Sequence, residues 1–600
     1  MKHLFSVLAA VLLSQAAYST SSQPMEDFAV SYGIVRYYSP NPYTKTWSES
    51  DWYKVCSYMV SQLDNTSLEN TLRALAPSVA ITEEPMAGRN LGGDPASASA
   101  YEHHGSGTIP VSAIAKLLNP SLARYMPYHT DYVPWHNGIP EPYTYYSYEL
   151  PSGRFCNIIH CDSKSHFNKK ETARLLDDAK AFWDGHRDPS IDLKARSKII
   201  GLVNDRAIRI ADIVVRWNIV RHFYPYYEED ALDWDNRLRE YLLKADNFRA
   251  DGAQADDAQA DGKPALYEWL MLVKEFMNPV KDGHMIVQYG FDLSRLYSSY
   301  VAEYYSPCPT IAVNDTVLVS IDGGPLVILD SIGTRSASDY LAGQKRLVNA
   351  ATEKRREWLV SYGLLASATE TDVEARWHSI DGESHTTILP IRSQTEPPRI
   401  SCKKPPVDLD SGILYVDATD RGDFSPKKVL KANPGKIIFD LRGYPSYDFL
   451  EILEHLIDRE LPYLTLSIPV SRFPFRAGIT YEDMTETLKP KKPQLKADVV
   501  FLCDETTISW GETVLMLVKG YSLGTIIGSN TAGTNGDATK FNLPFFPFMM
   551  TGLKVLNLDG SAHHAIGVEP DIPTCNYAID LLQGRDRVLE TAVAYMLEKM

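Results

Sequence analysis

The sequence predicts a multi-domain α/β chain, and three observations predict it. Beyond about residue 401, short apolar runs such as GILYVDA, GKIIFD and VVFLCD alternate with helical stretches, the pattern of a parallel sheet covered by helices. The first half holds long segments with apolar residues at helical spacing, among them DWYKVCSYMVSQL and ALYEWLMLVKEFM. Between these lies a stretch of short alternating strands around one charged helical segment, from about residue 307 to 391. With 600 residues, three or four domains of roughly 100–200 residues each are expected. Hydrophobic content of 44% and aromatic content of 11% are those of a packed globular chain. A formal net charge of −16 argues against a nucleic-acid or anionic-membrane partner. Seven scattered cysteines form no disulfide framework and show no metal-ligand spacing, although Cys156 and Cys161 could pair in an oxidising compartment.

Residues 1–19 combine a basic start, the apolar run LFSVLAAVLL and a small-residue end, the make-up of a secretory signal peptide. The run is too short for a membrane span, which needs roughly 20 apolar residues, and an exported protein without a membrane span is expected. Residues 24–197 form the first mature region, with two amphipathic helices and then a Tyr-, Pro-, Gly- and His-rich stretch of irregular or stranded character. His103-His104, and His160 beside Cys161, are metal-ligand types without companions at ligand spacing, and are read as structural. The opening motif then recurs: FAVSYGIVRYYSP at residues 28–40 matches IVVRWNIVRHFYP at 213–225, each followed by an Asp-Trp pair, Asp51-Trp52 and Asp233-Trp234. This predicts a duplicated helical unit. The acidic, Ala/Gly-rich stretch 246–263 reads as a disordered surface loop; it lacks the ligand alternation and terminal Glu of an EF-hand.

A helical domain over 205–300 ends in NPVKDGHMIVQY, where a turn at Asp282-Gly283 leads into a strand begun by His284. Within residues 401–600, Ser509 stands between the strand VVFLCD and an amphipathic helix that Gly520 stops. A serine there can be a helix N-cap. Less commonly it is a nucleophile, a role open to it because the N–H groups of the first helical turn have no internal partner and favour an oxyanion.

The ordered series DLRGYP, SWGE (Ser509 to Glu512), GSNTAG, GVEPDI and GRDRVLETAVAYML resembles the C-terminal processing (tail-specific) serine protease family, which includes the tricorn core protease. The resemblance runs from about residue 211 to the C-terminus. It implies a core like the Clp protease and crotonase folds over 401–600 and a PDZ-like, peptide-binding domain over 307–395. It also implies Ser509 as nucleophile and the backbone N–H groups of Gly443 and Trp510 as oxyanion donors. The family branch with a Ser-Lys dyad carries lysine where Thr531-Ala532-Gly533-Thr534 has threonine. The tricorn-like branch instead carries its histidine in a segment like DGH, which implies His284 as general base, and imidazole titrates in the right range for that work. Two departures stand out. YPS follows DLRG, and Pro445 has no N–H to give. The position at which the resemblance places an orienting glutamate holds His564, leaving Glu512 and Glu569 as candidate orienting or structural carboxylates.

The expectation is an exported serine-type endopeptidase that cleaves peptides or unfolded tail segments, with no metal or organic cofactor and a peptide or protein as partner. The alternative is a non-catalytic peptide-binding protein that keeps the protease fold; an esterase on the same core is a third reading.

Overall fold

The computed structural model describes residues 23–107, 128–136, 140–186, 201–249, 263–287, 304–361, 364–367, 369–393, 398–401, 403, 412–420 and 422–598. The expected signal peptide at residues 1–19 and the 250–262 part of the acidic stretch lie outside them. The chain divides into two compact units, one of residues 1–276, 468–482 and 541–547, the other of residues 277–467, 483–540 and 548–600.

The first unit is organised around two helices, residues 23–38 and Arg206–Phe223, which carry the two copies of the repeated motif. Asp205 caps the second, its carboxylate accepting the Ile208 N–H at 2.9 Å. Both helices are buried almost all round, which is why their sequences lack a polar face. The repeat is structural as well as sequential. In the first copy the Tyr32 hydroxyl donates to the Trp52 carbonyl at 2.8 Å. In the second, Trp217, at the matching position, donates from its indole to the Trp234 carbonyl at 3.0 Å. Gly33 and Asn218 are also matching positions, and they meet where the two helices cross. The Asn218 amide donates to the Ala29 carbonyl at 2.9 Å, and a Cβ on Gly33 would stand 1.7 Å from Asn218 Oδ1.

Around this pair the unit carries small antiparallel sheets. Ala98–His104 pairs with His129–Pro134 and with Cys161–Ser163, and Phe155–Ile159 pairs with both Ala80–Thr82 and Tyr145–Glu149. Cys156 and Cys161 are unpaired and buried, and burial pushes each thiol up to about 12.

The second unit opens with an antiparallel sheet over residues 304–393. Its longest pairing is the hairpin of Thr371–His378 and Ser384–Ser393, turned at Asp381-Gly382 as expected. The single charged helix expected here is instead two, Ala337–Lys345 and Glu353–Ser361. Asn349 lies in the break, and its buried amide donates to the Met277 and Val280 carbonyls at 2.7 and 3.0 Å. Those tertiary bonds, with burial of Val348, Ala350 and Ala351, outweigh continuation of the helix.

The remainder is centred on a five-stranded, wholly parallel sheet in the spatial order Ile413–Asp417, Lys436–Asp440, Asp498–Cys503, Thr525–Gly528, Ile572–Pro573. Because successive side chains alternate between faces, Ile437, Phe439, Phe501 and Cys503 pack with helices Phe449–Leu456 and Trp510–Gly520. Ile438, Val500, Leu502 and Ile527 pack with Arg587–Glu598 on the other face. Burial on both faces accounts for the unbroken apolar runs in these strands.

The Gly33 crossing supplies a test. Gly33→Ala is expected to lower stability by about 1–3 kcal/mol through overpacking, read in urea unfolding. Gly33→Ala with Asn218→Ala is expected to recover part of that loss. Equal loss in the single and double variants would show that the crossing is not the cause.

Candidate active site

Ser509 precedes the Trp510–Gly520 helix with φ 55° and ψ −110°, a backbone conformation costing of order 1–3 kcal/mol for a non-glycine residue. A strained serine on a strand-to-helix turn is the geometry that lifts a nucleophile's hydroxyl clear of the sheet. What holds the strain is Glu512. Its fully buried carboxylate accepts the Ser509 N–H at 3.0 Å, the Thr534 N–H at 3.1 Å, the Gly533 N–H at 2.7 Å and the Thr531 hydroxyl at 2.6 Å. The Ser509 N–H is also shared with the Thr534 carbonyl at 3.0 Å. Glu512 therefore acts on the serine backbone and the 531–534 loop, and it makes no hydrogen bond to His284.

His284 reaches the same loop through its neighbour, because the Gly283 N–H donates to Thr534 Oγ1 at 3.0 Å. Its side chain is held from behind. Antiparallel pairing of Met549 with Ile286 and of Phe548 with Val287 brings Thr551 beside His284, with Nδ1 and Thr551 Oγ1 2.8 Å apart. Thr551 Oγ1 lies 2.8 Å from Asp282 Oδ1, and the nearly fully buried Asp282 also accepts the Thr551 N–H at 2.6 Å and the His284 N–H at 2.8 Å. An ionised carboxylate only accepts, so the single threonine proton goes to Asp282 and the imidazole must donate from Nδ1. That assignment leaves Nε2 as the proton acceptor. Burial pulls the His284 pKa down from its ordinary value, opposed by the Asp282 charge.

The turn bearing Gly443 (φ 121°) packs against the start of the serine helix. The Trp510 indole donates to the Ser446 carbonyl at 3.3 Å, the Thr507 hydroxyl to the Leu441 carbonyl at 2.9 Å, and Pro445 Cδ would stand 3.1 Å from a Cβ on Gly511. Pro445 serves here as a packing surface, so its missing N–H leaves the turn intact. Below it, buried Arg442 is bidentate to both Asp440 and Asp586, with contacts of 2.6 to 3.2 Å. Although burial pushes the Asp440 carboxyl up, Arg442 holds it below its usual range.

The chain therefore brings Ser509, Trp510, Glu512 and the Gly443 turn together, and ties the segment before His284 to the same loop through Thr534. No hydrogen bond joins Ser509 to His284 among the described residues. Glu569 is elsewhere: its side chain is exposed and its carbonyl accepts from Lys519 near the far end of the helix. His564 is half-buried, whereas the adjacent His563 is fully buried with Nε2 3.3 Å from Glu512 Oε1. Sequence reading missed Asp282, Thr551 and His563. Asp282 carried a signal, a carboxylate two residues before the chosen histidine. Thr551 carried none, because its role depends on strand pairing.

Residues 463–574 match the model of Peptidase family S41. The resemblance of the chain to the C-terminal processing protease family thus stands on this segment, which contains Ser509, Glu512 and the 531–534 loop. Among solved structures, mature CPAF is 13% identical, over 66% of this chain and 97% of that one, with a TM-score of 0.49. A photosystem II D1 C-terminal processing protease is 17% identical, over 64% and 97% of the two chains, with a TM-score of 0.32. The tricorn protease is 13% identical, over 68% of this chain and 37% of that one, with a TM-score of 0.31. No curated protein matches the sequence.

Glu512→Gln turns amide hydrogens toward donors that now meet a carboxylate. Loss of two charge-assisted bonds is expected to cost about 3 kcal/mol or more, read by chemical denaturation. An unchanged midpoint would remove Glu512 as the anchor of the turn.

Proposed function

We propose that this chain is an exported serine-type endopeptidase cleaving peptides or unfolded tail segments of proteins. The observation that carries the proposal is the backbone of Ser509, strained at a helix start and held there by a buried carboxylate. In this reading Ser509 Oγ attacks the peptide carbonyl. His284 Nε2 takes the serine proton and passes it to the leaving amine, and the Gly443 and Trp510 N–H groups receive the oxyanion. Asp282, acting through the Thr551 hydroxyl, is a positioning residue for the imidazole, the role the resemblance assigned to a glutamate at the His564 position. The 304–393 sheet is proposed as the PDZ-like domain, with extended peptide adding to a sheet edge. The family match supports the reaction class, and the leader-like residues 1–19 support export.

A second reading, a peptide-binding protein without catalysis, is favoured by the absence of a Ser509–His284 hydrogen bond and by histidine at position 564. Against it, such bonds often tighten only when substrate binds, and the strain falls at the strand-to-helix turn where a nucleophilic serine would stand.

The deciding experiment is labelling of the folded mature protein with a fluorophosphonate probe. Labelling is expected in the wild type, abolished by Ser509→Ala and slowed roughly 10²–10⁴-fold by His284→Ala. No labelling of folded wild type would establish the binding reading. Thr551→Val removes one hydrogen bond worth about 1–1.5 kcal/mol and is expected to slow labelling about tenfold; an unchanged rate would remove the relay.

The pH dependence follows from the direction of the His284 shift. The base works neutral, and burial favours neutrality, so labelling is expected to persist below the ordinary imidazole pKa of about 6.5 and to fall only as pH drops through the depressed value. Asp282→Asn removes the charge that favours imidazolium and is expected to move the midpoint lower still. A midpoint that rises, or stays fixed, would contradict the electrostatic link.

A further inference from the structure

The first unit holds a cluster unrelated to the serine site. In the antiparallel pair Ala98–His104 and His129–Pro134, Glu102 faces Asp131 and His104 faces His129. Alternate residues of a strand share a face, so these four side chains form a two-by-two patch on one side of the sheet. His103, between them, points the other way and is fully engaged by the carbonyls of Tyr37 and Gly107 and the Thr130 hydroxyl. The His104 and His129 rings are stacked, 4.5 Å apart and 6° from parallel, and both are buried. His104 Nε2 lies 3.1 Å from Glu102 Oε1 and 4.0 Å from Asp131 Oδ2, and His129 Nε2 lies 3.4 Å from Asp131 Oδ2.

We propose that His104 Nε2, His129 Nε2, Asp131 Oδ2 and Glu102 Oε1 form a zinc site that clips the two strands together. The ligand atoms of His104, His129 and Asp131 lie within 4.8 Å of one another. Tetrahedral zinc, with bonds of 2.0–2.2 Å, sets its ligand atoms about 3.3 Å apart, and the three contacts above bracket that spacing. Two imidazoles with two carboxylates suit zinc among the divalent cations, whereas calcium and magnesium take oxygen donors. The surroundings fit the same role. His104 Nδ1 faces Glu482 Oε2 at 3.7 Å, as the outward nitrogen of a ligating histidine commonly faces a carboxylate. Arg472 occupies Glu102 Oε2, leaving Oε1 turned to His104. Four protein ligands complete a tetrahedron, so the site is structural rather than hydrolytic.

The test uses the full mature chain stripped of metal by chelation and titrated with zinc chloride by calorimetry and with cobalt(II) by visible absorption. One equivalent of zinc and the bands of tetrahedral cobalt are expected for the wild type and, equally, for Ser509→Ala. His104→Ala/His129→Ala and the conservative Asp131→Asn are expected to lose the site, with folding checked by circular dichroism. Glu482→Gln is expected to weaken zinc roughly 10–100-fold, an effect that a purely hydrogen-bonded cluster would not produce. Absence of stoichiometric uptake by wild type overturns the proposal, as does unchanged zinc affinity in folded Asp131→Asn.

Discussion

The candidate active site depends on one buried carboxylate. Glu512 gathers four donors from two places, the serine itself and the loop after the fourth parallel strand, where the Thr531 hydroxyl oxygen in turn accepts the Val568 N–H. A charge withdrawn from water is tolerated only when its lone pairs are satisfied, and here they are satisfied by the segments that make up the candidate site. The unfavourable backbone of Ser509 persists because its surroundings over-determine it. A second buried ion network, Arg442 between Asp440 and Asp586, fixes the turn after the second strand to the C-terminal helix. Together these two groups explain why short motifs scattered over more than a hundred residues read as a set. SWGE, GSNTAG and GVEPDI meet at Glu512, and DLRG and GRDR meet at Arg442.

Much of this was legible because it depends on local periodicity. Doubly buried strands show as apolar runs, the serine helix shows by its spacing and its glycine stop, and the hairpin at Asp381-Gly382 shows by its turn. The failures share a cause. The helix expected across residues 337–364 breaks at Asn349, whose partners are carbonyls about seventy residues earlier. Glu512 and Glu569 were both candidate orienting or structural carboxylates. One proves to hold the serine turn and the other to face solvent, since sequence does not show which way a side chain points. Likewise His103-His104 seemed to lack companions because the partner strand's contribution, His129 and Asp131, becomes adjacent only through pairing.

The first unit shows how duplication and asymmetry coexist. The matching hydrogen bonds of Tyr32 and Trp217 preserve one helix-pair geometry in both copies, while the matching positions Gly33 and Asn218 have diverged because they meet each other. One copy had to shrink to nothing for the other to place a polar side chain at the crossing. A repeat read only as similarity would miss that its two halves are complementary where they touch.

The pairing of Phe548–Thr551 with Ile286–Val287 has a consequence beyond stability. Thr551 and His284 are 267 positions apart and are brought together by this short ladder and by the bonds of Asp282 to both. Because side chains alternate with a period of two, a slip of one residue would turn the threonine to the opposite face of its strand. The imidazole would then lose the partner that dictates which nitrogen carries its proton, with every residue of the site still present. Parity of a two-strand register thus decides which nitrogen of the imidazole carries the proton.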